Sequence, residues 1–141
     1  MLYDIYQSIK SRLSEVDGAE NTQWFNMQYE NAGWPYVSGF FVEFPDGMNF
    51  AFVSQQARQA SLKVRIHVYR QNVQTHDGIA DTEVAAHETV ALAVKTALDR
   101  FAPEKDGARL AKPLLFSGWQ HWHRLNGWMV TYVEFTSNMV I

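Results

Sequence analysis

The sequence predicts an α+β sandwich, a mostly antiparallel sheet with two helices packed on one face, in the order α-β-β-β-α-β-β. Three observations carry this. In Ser61–Arg70, Leu62, Val64, Ile66 and Val68 share one parity, and Lys63, Arg65, His67 and Tyr69 share the other. Such period-two alternation makes a strand with one face on a core and one facing water or a partner. From Ile79 or Asp81 the period lengthens. Val84, His87, Ala91, Val94, Leu98 and Phe101 then mark one helical stripe that can cover the apolar parity. Lastly, Asn126-Gly127 separates two strand-like runs, Leu114–Leu125 and Trp128–Thr136. Both turn residues tolerate the positive φ of a two-residue hairpin turn.

The elements follow in order. Leu2, Ile5, Tyr6, Ile9, Leu13 and Val16 sit at helical spacing, with Asp4 early and Lys10 and Arg12 late, so charge suits the helix dipole; Asp17-Gly18 ends it. Gln23–Glu30 alternates loosely and suits a short edge strand, and Ala32–Pro35 is a turn. Tyr36–Phe44 reads as a strand, Pro45-Asp46-Gly47 as a turn, and Met48–Ser54 as a returning strand. Gln55–Ala60 is either a hairpin tip or a bulged continuation into the next strand. The second helix takes Asp77 or Asp81 as N-cap and stops at Pro103; residues 104–113 form a polar loop.

The 141 residues suit a single domain, 1–141, with a core of its own. Hydrophobic residues at 47% against 19% charged argue against disorder. There is no cysteine, which excludes disulfides, a thiolate nucleophile and a Cys-based zinc site. Asp4 interrupts the opening apolar pattern, which therefore does not read as a signal peptide, and no apolar run is long enough to span a bilayer. A soluble protein away from membranes is expected. Charge is uneven: residues 1–60 hold Lys10, Arg12 and Arg58 against seven acids, and the remainder nine bases against eight acids. Neither half carries a basic run, so sequence-specific nucleic-acid binding is not expected.

Candidate chemistry is sparse. His121 and His123 stand two apart on a strand, on one face, and a third ligand from Glu134 or His67 would complete a zinc site. The simpler reading is a half-buried aromatic strand whose histidines bond backbone or water. Glu83 and His87, at i,i+4, suggest an acid–base pair but more simply a helix-surface contact, with Glu88 beside them. No nucleophile elbow, phosphate loop or dinucleotide fingerprint is present. No cofactor, no metal and no enzymatic activity are expected. The Trp119, Trp122 and Trp128 cluster serves core and sheet surface before any ligand cage.

The order of elements resembles a known family. An amphipathic helix (Leu2–Val16), a Pro-Tyr-led strand (Pro35–Phe44), a long alternating strand ending in a polar loop (Leu62–Asn72), a long helix (Ile79–Ala102) and a closing WMVTYVEFT strand (Trp128–Thr136) together resemble the tail terminator, or tail completion, proteins of long-tailed bacteriophages and prophages. The resemblance implies a non-enzymatic virion protein that assembles in the host cytoplasm. It implies a homo-oligomeric ring, commonly a hexamer, that caps the tail tube, stops its growth and docks to the head–tail connector or neck. Alternatives are a head-completion or neck protein of the same assembly, or a small metal-dependent enzyme or ligand-binding domain built on His121 and His123. The five tryptophans exceed what a small core needs, and aromatic residues with Arg are what interface centres select. Lys63, Arg65, His67, Tyr69, Trp119, Trp122 and Arg124 are therefore the expected protein-interface residues, on an uncovered sheet face and the closing hairpin.

Overall fold

The computed structural model describes residues 2–17, 21–31, 33–45, 48–52, 58–71, 78–124 and 127–140; for 48–52, 58–59, 123–124 and 140 only the backbone is described. The predicted class holds. Helix α1 (Leu2–Leu13) buries Ile5, Tyr6, Ile9 and Leu13 at helical spacing. Helix α2 (Asp81–Leu98) buries His87, Ala91, Val94 and Leu98. Strands β1 (Thr22–Trp24), β2 (Ser38–Glu43), β3 (Met48–Phe52) and β4 (Arg58–Gln71) lie between the helices in sequence. After α2 come a two-residue hairpin, β5 (Glu104–Lys105) with β6 (Ala108–Arg109), and then the long pair β7 (Leu115–Arg124) and β8 (Trp128–Val140).

The main sheet has six strands in the order β1-β2-β4-β8-β7, with β3 also on β4. All described pairings are antiparallel except β1 with β2. The organising strand is β4. Its Leu62, Val64, Ile66 and Val68 are buried in one cluster with residues of both helices. Each such burial contributes on the order of 1.5–3 kcal/mol.

Several expectations change, among them the edge strand Gln23–Glu30, which is a strand only over Thr22–Trp24, and the loop 104–113, which contains the β5–β6 hairpin. The Met48 strand does not return onto β2. Ser38–Glu43 pairs with Arg70–Arg65, and Met48–Phe52 pairs onward with Leu62–Arg58, so β2 and β3 are one interrupted strand running along β4. Of the predicted turn Pro45-Asp46-Gly47, residues 46–47 lie outside the described set, as do residues 53–57 between β3 and β4. The second helix ends at Leu98, before Pro103. Arg100 takes a left-handed φ of 68°, its N–H bonds Leu114 O, and Leu114 N–H bonds Phe101 O, so pairing with the approach to β7 stops the helix. Its N-cap is Ala80 in extended conformation, with no side-chain cap; Asp81 lies in the first turn and complements the dipole. Asp77 lies outside the described residues. Finally, Arg124 pairs with Trp128, leaving three residues between the hairpin strands instead of two, with Gly127 at φ 77°.

Candidate interaction surface

The sheet face opposite the helices was expected to be open, and it is mostly covered. After β1, Met27 adopts φ 58° and Gln28–Glu30 makes a 3-10 turn, which sends the chain back across the sheet. Gln28 Nε2 donates to Trp24 O at 2.8 Å and Asn31 N–H to Gln28 O at 3.0 Å, holding the turn. Phe25, Tyr29 and Trp34 thereby land on a second core of Phe41, Tyr69, Trp128, Val130 and Tyr132. Gly39 makes the fit possible: a Cβ there would meet the Asn21 carbonyl and stand 2.6 Å from the Tyr69 hydroxyl. Trp34 Nε1 donates to that hydroxyl at 3.2 Å.

His67 and Tyr69 are therefore each only 1% exposed, and Lys63 and Arg65 are half-buried, so the predicted free face is corrected. His67 stacks on Phe25 at 4.1 Å between centroids, with Tyr29 Oη 2.7 Å from its Nδ1 and Glu43 Oε1 2.8 Å from its Nε2. A carboxylate offers only lone pairs, so Nε2 carries the proton in that bond. Arg65 joins the same carboxylate through Nη1 at 3.2 Å and reaches Glu134 Oε2 through Nε and Nη2 at 3.3 and 3.2 Å. The hydrogen bond from His67, with further help from the Arg65 charge, holds the Glu43 carboxyl below its ordinary range against the opposing pull of burial. Burial works against the Arg65 charge, but Glu134 and Glu43 outweigh it and raise its pKa.

Beyond this network the face stays accessible at Trp122. The Arg65 guanidinium lies over the Tyr132 ring at 4.7 Å, and Trp122 tilts against the same ring at 5.8 Å with 44% of its surface exposed. Aromatic–cation stacks of this kind hold a surface in shape while leaving apolar area available. Of the expected interface residues, Lys63, Arg65 and Trp122 share this face. Trp119 is on the other side, packed against the main core. Arg124 has the strand parity of Trp122, but its side chain lies outside the described residues.

The expected histidine constellation does not assemble. His121 faces the helices, where its Nδ1 lies 2.9 Å from Thr131 Oγ1, whereas Glu134 and His67 are on the opposite side of the sheet. The side chain of His123 is outside the described residues. Among the described residues no group of three or more His, Cys, Asp or Glu stands in position to hold a metal ion. Nor do Glu83 and His87 form the expected helix-surface contact. Glu83 bonds Arg70 at 2.9 Å, which keeps its carboxyl low, and His87 is buried against Thr131 at 2.8 Å. Sequence reasoning missed Phe25, Tyr29 and Trp34, whose signal was three rings in a stretch too polar to be a core strand.

No protein-family model matches the sequence, and no curated protein does. No helix among the described residues is long and apolar enough to cross a membrane. Among solved structures the chain is similar to one from the virion of a native gene transfer agent particle, with a TM-score of 0.59 and 12% identity, over 97% of this chain and 92% of that one. At that identity the likeness is one of fold.

Proposed function

We propose that this chain is a non-enzymatic structural protein of a phage or phage-like particle, acting as a tail terminator. In this reading it forms a ring, a hexamer in the family it resembles, caps the tail tube, and presents a surface to the neck or head–tail connector. The observation that carries the reading is the fold likeness to a virion component over nearly the full length of both chains. Trp122, exposed where it packs on the buried Tyr132 beside the half-buried Arg65, supports it, because Trp and Arg are among the residues that dominate interface energetics. The ionic groups beside these residues bond one another, an arrangement suited to holding a shape for a partner. The acid-rich first sixty residues and the slightly basic remainder suit head-to-tail contacts, which close into a ring when the rotation allows.

The test is co-assembly. The protein is mixed with its cognate tube protein, and tube ends are imaged. Capped tubes of regulated length are expected. Bare ends on tubes of unregulated length, at protein concentrations well above micromolar, overturn the reading.

A further inference from the structure

One hydroxyl joins α2 to the closing hairpin. Thr131 of β8 lies directly opposite His121 of β7, and its Oγ1 is 2.9 Å from His121 Nδ1 and 2.8 Å from Nε2 of His87, which comes down from α2. The two rings stand 5.7 Å apart between centroids, and His87 is 3% exposed. A threonine hydroxyl owns one proton and two lone pairs. With both rings neutral the chain closes without charge: one imidazole donates to Oγ1, and Oγ1 donates to the other. Protonating the accepting ring reverses that bond. Both nitrogens then present N–H to the same oxygen, the hydroxyl proton must turn away, and a cation sits in the seam.

We propose that the His87–Thr131–His121 bridge is a proton-operated latch, closed near neutral pH and loosened by mild acid, which frees the first half of α2 from β7 and β8. A cavity of about 170 Å³ lined by Val84, His87, Glu88, Trp119, His121 and Thr131 brings solvent to the bridge. The charged groups facing it, among the described residues, act in both directions. Glu88 of α2 favours a cation there, but it is exposed, so water and salt screen its pull. On the other side of His87, Arg70 of β4 and Glu83 of α2 are paired at 2.9 Å, so their charges largely offset there. Ser38 of β2 and Trp119 of β7 bring no charge. The burial of His87 disfavours its charged form, and acid therefore weakens the seam.

Hydrogen exchange of the full chain tests this, with α2 amides from Val84 to Leu92 followed at about pH 7.5 and about pH 5.5 after correction for intrinsic rates, and β4 amides as internal reference. A histidine of ordinary pKa, about 6.5, kept neutral in the closed seam makes opening about tenfold more frequent across that interval. The expected result is that rise in α2, and less than twofold in β4. His87→Gln keeps an amide that can bond Thr131 and should remove most of the pH response, and His121→Gln, which should fold since its site is exposed, should reduce it. Unchanged or greater α2 protection in acid overturns the latch. So does an equal rise in β4, or a wild-type response surviving in both His121→Gln and His87→Gln.

Discussion

Nε2 of His67 stands 2.8 Å from Glu43, diagonally across the β2–β4 pairing, and the same carboxylate oxygen takes a bond from Arg65 at 3.2 Å. One carboxylate oxygen thus accepts from two side chains under an aromatic cover. Because the folded state holds Glu43 below its ordinary value of 4.5, the unfolded chain takes up that proton more readily. Stability from this group is therefore present above about pH 4.5 and is lost as pH falls through the depressed folded value. Glu43→Gln keeps the shape and removes the charge. It should cost about 1.5–3 kcal/mol near neutral pH, since bonds to charged groups are of that size, and should flatten the acid limb below about pH 4.5. Urea unfolding at a series of pH values checks both; an acid limb as steep as in the wild type would show that other carboxylates dominate.

Tyr29 ties the covering segment to the same histidine. Tyr29→Phe retains the ring packing against Phe41 and Trp128 and deletes the 2.7 Å bond to His67. A loss of about 1–2 kcal/mol is expected from denaturant midpoints, because a buried imidazole nitrogen is left without that partner. A loss below about 0.5 kcal/mol would mean that packing alone holds the segment.

The alternation of Ser61–Arg70 and the stripe from His87 to Leu98 were legible because one buried face imposes a period on the sequence. The second face was not legible. His67 and Tyr69 alternate with Val and Ile just as solvent-facing residues do, and nothing local says that Phe25, Tyr29 and Trp34 fold back over them. Covering a sheet face with an irregular segment leaves no period, and the enabling features, left-handed Met27 and the Gly39 gap, depend on tertiary contacts. The same holds for the site. Arg65 and Trp122 could be chosen by type, but their meeting point, Tyr132, is fixed by register between strands far apart in sequence.

Val64 tests the face that the sequence placed correctly. It is fully buried on β4, opposite Phe135 of β8. Val64→Asp puts an uncompensated charge into that core and should cost several kcal/mol, enough to unfold a domain of ordinary stability. Circular dichroism of the variant should show loss of the cooperative melt; a native-like transition would mean that the site tolerates water, contrary to the packing.

Metal content separates the assembly reading from the histidine alternative. Glu134 and His67 lie across the sheet from His121, so the ligand set expected of a zinc site is split between two faces. Protein purified without a histidine tag should carry no stoichiometric zinc, nickel or iron by elemental analysis, and chelator should leave its melting temperature in place. A stoichiometric metal lost on replacing His121 and His123 with Gln would promote the enzyme reading.

The exposed part of the partly covered face bears on assembly directly. Trp122 is 44% exposed at the outer strand of the sheet, and its ring leans on Tyr132, over which the Arg65 guanidinium also lies. Removing an exposed ring costs the monomer little, typically within about 0.5–1 kcal/mol, whereas a Trp at the centre of an interface contributes about 2 kcal/mol or more. Trp122→Ala should therefore leave the melt nearly unchanged while weakening self-association, or binding to the tube end, roughly thirtyfold. Arg65→Ala is the less clean probe, since it strands Glu43 and Glu134 and costs stability as well. Sedimentation across a concentration series, with and without tube protein, reads the two effects apart. Association that survives Trp122→Ala and Trp122→Ala with Arg124→Ala would dismiss this face as the contact while leaving the terminator reading to the imaging of tube ends. Association lost together with the cooperative melt would make Trp122 part of the fold rather than of the interface, against its exposure.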